Sequence, residues 1–179
     1  QFANPLAVVN DQLLFLRTDK AGLSAPEELV LVDPASGEKQ VKQLPEIVAS
    51  TGLLRGDDLF FWTKQDGALL AVDAATGEQR WLEDVNFDYP SAPAVSEERG
   101  EVYVADPAGR LVALDRETGE EKWRTEEARA EDGGTNPGEM EPESSVRVVR
   151  GLLLVSTGNT VYTVSPDAPE AEPEDVHKV

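Results

Sequence analysis

The chain has 179 residues, enough for one sizeable core, and its 40% hydrophobic and 28% charged content is ordinary for a folded protein. Thirty-five acids against sixteen bases give a net charge of -19, which serves solubility and repels phosphate backbones and anionic bilayers, so nucleic-acid binding and direct membrane insertion are not expected. The absence of cysteine excludes disulfides, thiolate metal sites and a cysteine nucleophile, and no run of 18 apolar residues offers a membrane-spanning helix.

The opening residues, Gln1-Phe2-Ala3-Asn4-Pro5, are neither an initiating methionine nor a signal peptide, and they read as the start of a chain processed or cut from something longer. A first unit, about 5–45, carries short β-rich stretches at Leu6-Val9, Gln12-Leu16, Glu28-Val32 and Lys39-Lys42. A second, about 46–84, carries them at Ile47-Leu54, Asp58-Thr63, Ala68-Asp73 and Gln79-Leu82. The third, about 90–128, is the clearest. Pro93-Ser96, Glu101-Ala105, Arg110-Asp115 and Glu120-Arg124 are separated by turns rich in Asp, Pro and Gly. The fourth, about 143–167, has Ser145-Val149, Gly151-Ser156 and Thr160-Val164. The acidic, proline-containing stretch after it is expected not to pair, leaving this unit one strand short and 168–179 as a disordered tail. No helical apolar stripe of useful length occurs.

One phrase recurs across these units. Ala71-Val72-Asp73-Ala74-Ala75-Thr76-Gly77-Glu78-Gln79-Arg80-Trp81 is repeated as Ala113-Leu114-Asp115-Arg116-Glu117-Thr118-Gly119-Glu120-Glu121-Lys122-Trp123, with the tryptophans 42 residues apart. A worn copy spans Leu31 to Val41, with Ser36 for the threonine and Val41 for the tryptophan. In the fourth unit Thr163-Val164-Ser165 replaces the opening and no tryptophan follows. A four-stranded unit at this period is expected to be a propeller blade, which buries its faces only against neighbouring blades. Within the phrase, Asp73 and Asp115 are placed to accept backbone N–H groups in a turn. Gly77 and Gly119 take a left-handed backbone, and Trp81 and Trp123 offer flat apolar area to a neighbouring blade.

The phrase resembles the tryptophan-docking motif of the quinoprotein-like (pyrroloquinoline-quinone repeat) β-propellers, Ala-x-Asp-x-x-Thr-Gly-x-x-x-Trp, and both strong copies fit at every fixed position. The resemblance covers roughly residues 5–167. It implies an all-β propeller of four-stranded antiparallel blades, about four of them present, read as the C-terminal half of a seven- or eight-bladed ring. It also implies an extracytoplasmic bacterial protein. Some members of that superfamily are quinone- and calcium-dependent dehydrogenases. Others are non-catalytic, including an outer-membrane assembly lipoprotein and the extracytoplasmic halves of some bacterial Ser/Thr kinases. The catalytic pattern is not met. There is no cysteine for a vicinal disulfide, no Asp-x-Asp-x-Asp-Gly string, and the single histidine, His177, lies in the tail.

The chain is therefore expected to be a non-enzymatic binding, scaffold or sensory module with no cofactor and no metal. The alternative is half of a quinone- and calcium-dependent dehydrogenase whose cofactor site lies mainly outside this chain. Asp84, Asp88 and Tyr89 read as a polar link between units, the alternative being part of a cation or ligand rim, and Phe60, Phe61 and Trp62 read as core packing with Phe61 on the opposite face to the other two. Two loops are longer than a turn needs, at Thr18–Glu27 and Thr125–Glu143. Strand order sends both to one rim, and Asp132, Asn136, Glu139 and Glu141 in the second are the candidate partner-binding residues. Expected partners are a protein or peptide carrying basic residues and the remaining half of the propeller, from the same polypeptide or a second copy.

Overall fold

The computed structural model describes residues 7–17, 28–46, 48, 53–63, 68–87, 90–125, 144–157, 160–169 and 174–178. Every regular element among them is a β-strand. β1 (Ala7–Val9), β2 (Gln12–Arg17), β3 (Glu28–Val32) and β4 (Lys39–Gln43) form sheet one. β5 (Leu53–Arg55), β6 (Asp58–Trp62), β7 (Leu69–Asp73) and β8 (Gln79–Glu83) form sheet two. β9 (Ala94–Ser96), β10 (Glu101–Ala105), β11 (Leu111–Asp115) and β12 (Glu121–Arg124) form sheet three. β13 (Ser144–Val149), β14 (Leu152–Thr157), β15 (Thr160–Val164) and β16 (Glu174–Lys178) form sheet four. Each sheet is an antiparallel meander in chain order, the blade grammar read from the turns.

One expectation is overturned. Sheet four is complete, because β16 pairs with β15 through Thr160 opposite Lys178, Val161 opposite His177 and Thr163 opposite Glu174. The segment expected to be a disordered tail thus supplies a fourth strand. Its prolines, Pro166, Pro169 and Pro173, all precede the strand, so none removes a ladder donor. Nor does a fourth strand need an apolar sequence here: β4 is mostly exposed, β12 buries no residue fully and β8 buries only Trp81.

The chain divides into two compact units, Gln1–Asn86 and Phe87–Val179. In the first, sheet one presents Leu14, Leu16, Leu29 and Leu31 to Leu59, Phe61, Leu70 and Val72 of sheet two. These side chains alternate along their strands, so each strand contributes every second residue to this face. Phe60 is also fully buried but lies on the opposite face of β6 from Phe61, as the alternation required. In the second unit, Ala94, Tyr103, Ala105, Leu111 and Ala113 of sheet three meet Val146, Leu153, Val155, Tyr162 and Val164 of sheet four. The Tyr162 hydroxyl donates to the Gly109 carbonyl at 2.6 Å, and Arg99 bridges to Asp167 at 2.8 Å, so polar ties flank this core.

Candidate functional site

The repeated phrase folds into one device, built three times. At the end of β7 the Asp73 carboxylate Oδ1 accepts the N–H of Ala75 at 3.0 Å and of Thr76 at 2.8 Å. The Asp73 N–H donates to the Glu78 carbonyl, and the Asp73 carbonyl accepts from Gly77. The Thr76 hydroxyl takes the Glu78 N–H at 3.2 Å. Asp115 repeats the set with Glu117, Thr118, Gly119 and Glu120. Asp33 does the same with Ala35, Ser36, Gly37 and Glu38, so serine replaces threonine without changing the turn. The glycines sit at φ +74°, +72° and +79° for Gly37, Gly77 and Gly119, the left-handed region that a Cβ disfavours. The fourth unit keeps a remnant, with the Asp167 N–H on the Ser165 hydroxyl at 3.4 Å.

Backbone donation lowers these carboxyls. Asp33 is lowered by the N–H groups of Ser36 and Ala35. Burial pushes Asp73 up, but Thr76, Ala75 and Arg80 together hold it below the usual carboxylate value. Asp115 is lowered first by the Thr118 N–H, against partial burial.

The tryptophans reach across a small residue. Phe60, Ala71 and Trp81 form one cross-strand row, and Tyr103, Ala113 and Trp123 form its counterpart. The alanine leaves room for the indole to lean onto the aromatic two strands away. Ring centroids are 5.7 Å apart for Phe60 and Trp81 and 5.9 Å for Tyr103 and Trp123, tilted in both cases. Trp123, partly buried, packs against the cluster that sheets three and four share.

A second arrangement was not read from the sequence. The register of β7 with β8 shifts between Ala71 and Val72, which makes Arg80 a bulge residue. Arg80 reaches back to Asp58, the first residue of β6, at 2.7 Å and to Asp73 at 2.9 Å. Lys122 occupies the same bulge in sheet three and approaches Glu101 at 3.2 Å and Asp115 at 3.8 Å. Asp58 and Glu101 are almost fully buried, at 1% and 6% exposure. Burial pushes Glu101 up, yet the Tyr103 hydroxyl, Lys122 and Arg99 hold it below its usual range. Burial and the adjacent Glu101 raise Tyr103 in turn. The available signal was the basic residue directly before each tryptophan, together with an acid opening the second strand of the same unit.

At the opposite end of the sheets, short polar clamps fix the links. The Thr63 hydroxyl accepts the Ala68 N–H, and Asp106 accepts the Arg110 N–H at 2.8 Å while pairing with the same arginine side chain. Thr125, where the long loop begins, takes the Leu111 N–H on its hydroxyl at 2.8 Å. Phe87 lies under the guanidinium groups of Arg110 and Arg124, at 5.5 Å and 5.1 Å. Asp84 caps a turn by accepting the Asn86 N–H, in keeping with a polar link. Asp88 and Tyr89 lie outside the described residues. So do both long loops beyond their ends, including Asp132, Asn136, Glu139 and Glu141.

Asp58, Glu101 and Asp106, the carboxylates most deeply buried among the described residues, each face a cation of their own sheet. Among those residues no group of three or more His, Asp or Glu side chains is placed to hold a metal ion.

Comparison with known proteins agrees with this geometry. Residues 2–176 match a family described as "Outer membrane protein assembly factor BamB". Among solved structures, BamB from Moraxella catarrhalis is similar with a TM-score of 0.63 at 16% identity, covering 99% of this chain and 53% of that one. Apo AztD from Citrobacter koseri gives 0.65 at 15% identity, covering 99% and 46%. A europium-containing methanol dehydrogenase gives 0.59 at 15% identity, covering 96% and 40%. At these identities the likeness is one of fold, and the chain spans 40–53% of the length of each. No curated protein sequence matches it.

Proposed function

The chain belongs to the outer membrane protein assembly factor BamB family of β-propeller proteins, and from that premise we propose that it is a non-enzymatic, protein-binding propeller module acting outside the cytoplasmic membrane. The observation that carries the reading is the fate of the repeated phrase. Its aspartates, threonines and glycines are consumed in turns, its alanines and tryptophans in packing, and its bulge cations in neutralising buried acids. That chemistry builds a stiff scaffold and leaves recognition to the loops.

The long loop at 126–143 is the recognition element in this reading, with Asp132, Asn136, Glu139 and Glu141 as contact residues. It is rooted at Thr125, whose hydrogen bonds to Leu111 anchor its start. A chain of net charge -19 favours a partner segment bearing lysines or arginines. The remaining blades come from the same polypeptide or from a second copy, since this chain spans 53% of the BamB structure it resembles. The extracytoplasmic setting rests on the family's description as an outer membrane assembly factor.

The dehydrogenase reading draws on the methanol dehydrogenase likeness, which concerns fold at 15% identity. Absorbance titration of the protein with quinone and calcium separates the two readings: uptake of both would favour the enzyme. Deleting 130–142 tests the binding reading, which requires capture of envelope proteins to fall.

A further inference from the structure

The fourth strands of the sheets differ in one respect. β8, β12 and β16 each pair with the third strand through a register shift, whereas β4 runs straight, with five consecutive partners from Glu28–Gln43 to Val32–Lys39. A bulge twists an edge and breaks the regular spacing of its outward backbone groups, which is one way sheets avoid adding foreign strands. β4 lacks that protection. It is the edge of sheet one, and no strand among the described residues is hydrogen-bonded along its far side. The inner edges β1, β5 and β9 are only three residues long, and β13 lies against β9 and β10 of the neighbouring sheet.

β4 is also chemically distinct. Its sequence, Lys39-Gln40-Val41-Lys42-Gln43, holds two lysines and no acid in a chain of net charge -19. Each of the other three fourth strands contains at least one acid. Val41 is 46% exposed and continues the cross-strand row of Phe15 and Val30, while Val8, 62% exposed, lies on the same face beside Leu13 and Val32. The missing bulge explains this exposure. Val41 holds the tryptophan's place in the phrase, but without the extra residue it pairs with Val30, and its side chain points to the face opposite the one Trp81 takes in sheet two.

We propose that β4 is a strand-addition site that accepts an extended, acidic segment of a partner protein as a fifth strand of sheet one. Backbone bonds along β4 supply the affinity. An apolar side chain opposite Val41 extends the Phe15–Val30–Val41 row, and acidic side chains on the other face meet Lys42. This deepens the protein-binding reading by naming a second surface with the opposite charge preference to the loops.

The probe is a blocked heptapeptide alternating valine and glutamate, compared with its valine–lysine counterpart. Amide hydrogen exchange at 39–43 is expected to slow at least tenfold with the glutamate peptide, which should bind at least tenfold tighter than the lysine peptide at low salt. Inserting an arginine between Lys39 and Gln40 reproduces the Gln79-Arg80-Trp81 bulge and should abolish the protection. Lys42→Glu keeps the strand straight and should reverse the preference between peptides. Deleting 130–142 should leave peptide binding unchanged, so a failed loop reading and a failed edge reading give different results. No slowing at 39–43 in the unaltered chain, or equal peptide binding by the insertion and Lys42→Glu variants, would overturn the proposal.

Discussion

Gly37 and Gly77 occupy the same place in two copies of one turn, at nearly the same φ of +74° and +72°. An alanine at either position pays the left-handed penalty of roughly 1–2 kcal/mol. Their surroundings differ. A Cβ built on Gly37 meets nothing within 4 Å, whereas one on Gly77 lies 2.8 Å from the Lys42 Cβ and 3.8 Å from a Leu29 methyl. The Lys42 Cβ is fixed to the β4 backbone and cannot swing aside, so overpacking adds a further ~1–3 kcal/mol. Gly77→Ala should therefore be less stable than Gly37→Ala by at least ~1 kcal/mol, a difference of about 0.3–1 M in urea midpoint at ordinary slopes. Because the clash is with a Cβ, Lys42→Ala should not relieve Gly77→Ala, while Lys42→Gly should, giving a measurable coupling energy. Equal losses at the two glycines, or equal relief by both Lys42 variants, would refute the packing argument.

Arg80→Met leaves Asp58 buried without its bulge cation and should cost about 3 kcal/mol in urea unfolding, with a smaller loss for Lys122→Met because Glu101 keeps Arg99 and Tyr103. Trp81→Ala should cost about 3–5 kcal/mol and Trp123→Ala less, in line with their burial, read by the same titration. Asp33, Asp73, Asp115 and Glu101 are all held below the ordinary carboxyl values of 3.8 and 4.5, so the stability they add is present above those values and is lost as pH falls through the lower folded ones. Urea midpoints should therefore drop below about pH 4.5, and Asp115→Asn should flatten that fall; an unchanged slope would count against it.

Much of the fold was legible because turns, not strands, carry the strongest signal here. The Asp-x-x-Thr-Gly spacing fixed where β7 ends and β8 begins, and the structure agrees at the worn copy of Asp33 as well. What stayed hidden depends on contacts distant in sequence. The pairing of Arg80 with Asp58 spans 22 positions and exists only because a bulge turns the arginine toward β6. β16 is hidden in the sequence because its acids directly follow a proline-containing stretch, although the prolines all precede the strand. Val41 shows the same effect in reverse: the sequence aligns it with Trp81, and a one-residue difference in register sends it to the other face. The two long loops, Thr18–Glu27 and Thr125–Glu143, stand out by length alone, since their residues follow no repeat.

The most direct test of the binding account is quantitative capture of envelope proteins on the immobilised chain, compared with the chain lacking 130–142. The account predicts a salt-sensitive partner, rich in basic residues, that is retained by the intact chain and lost with the loop. Equal capture by both forms would contradict it.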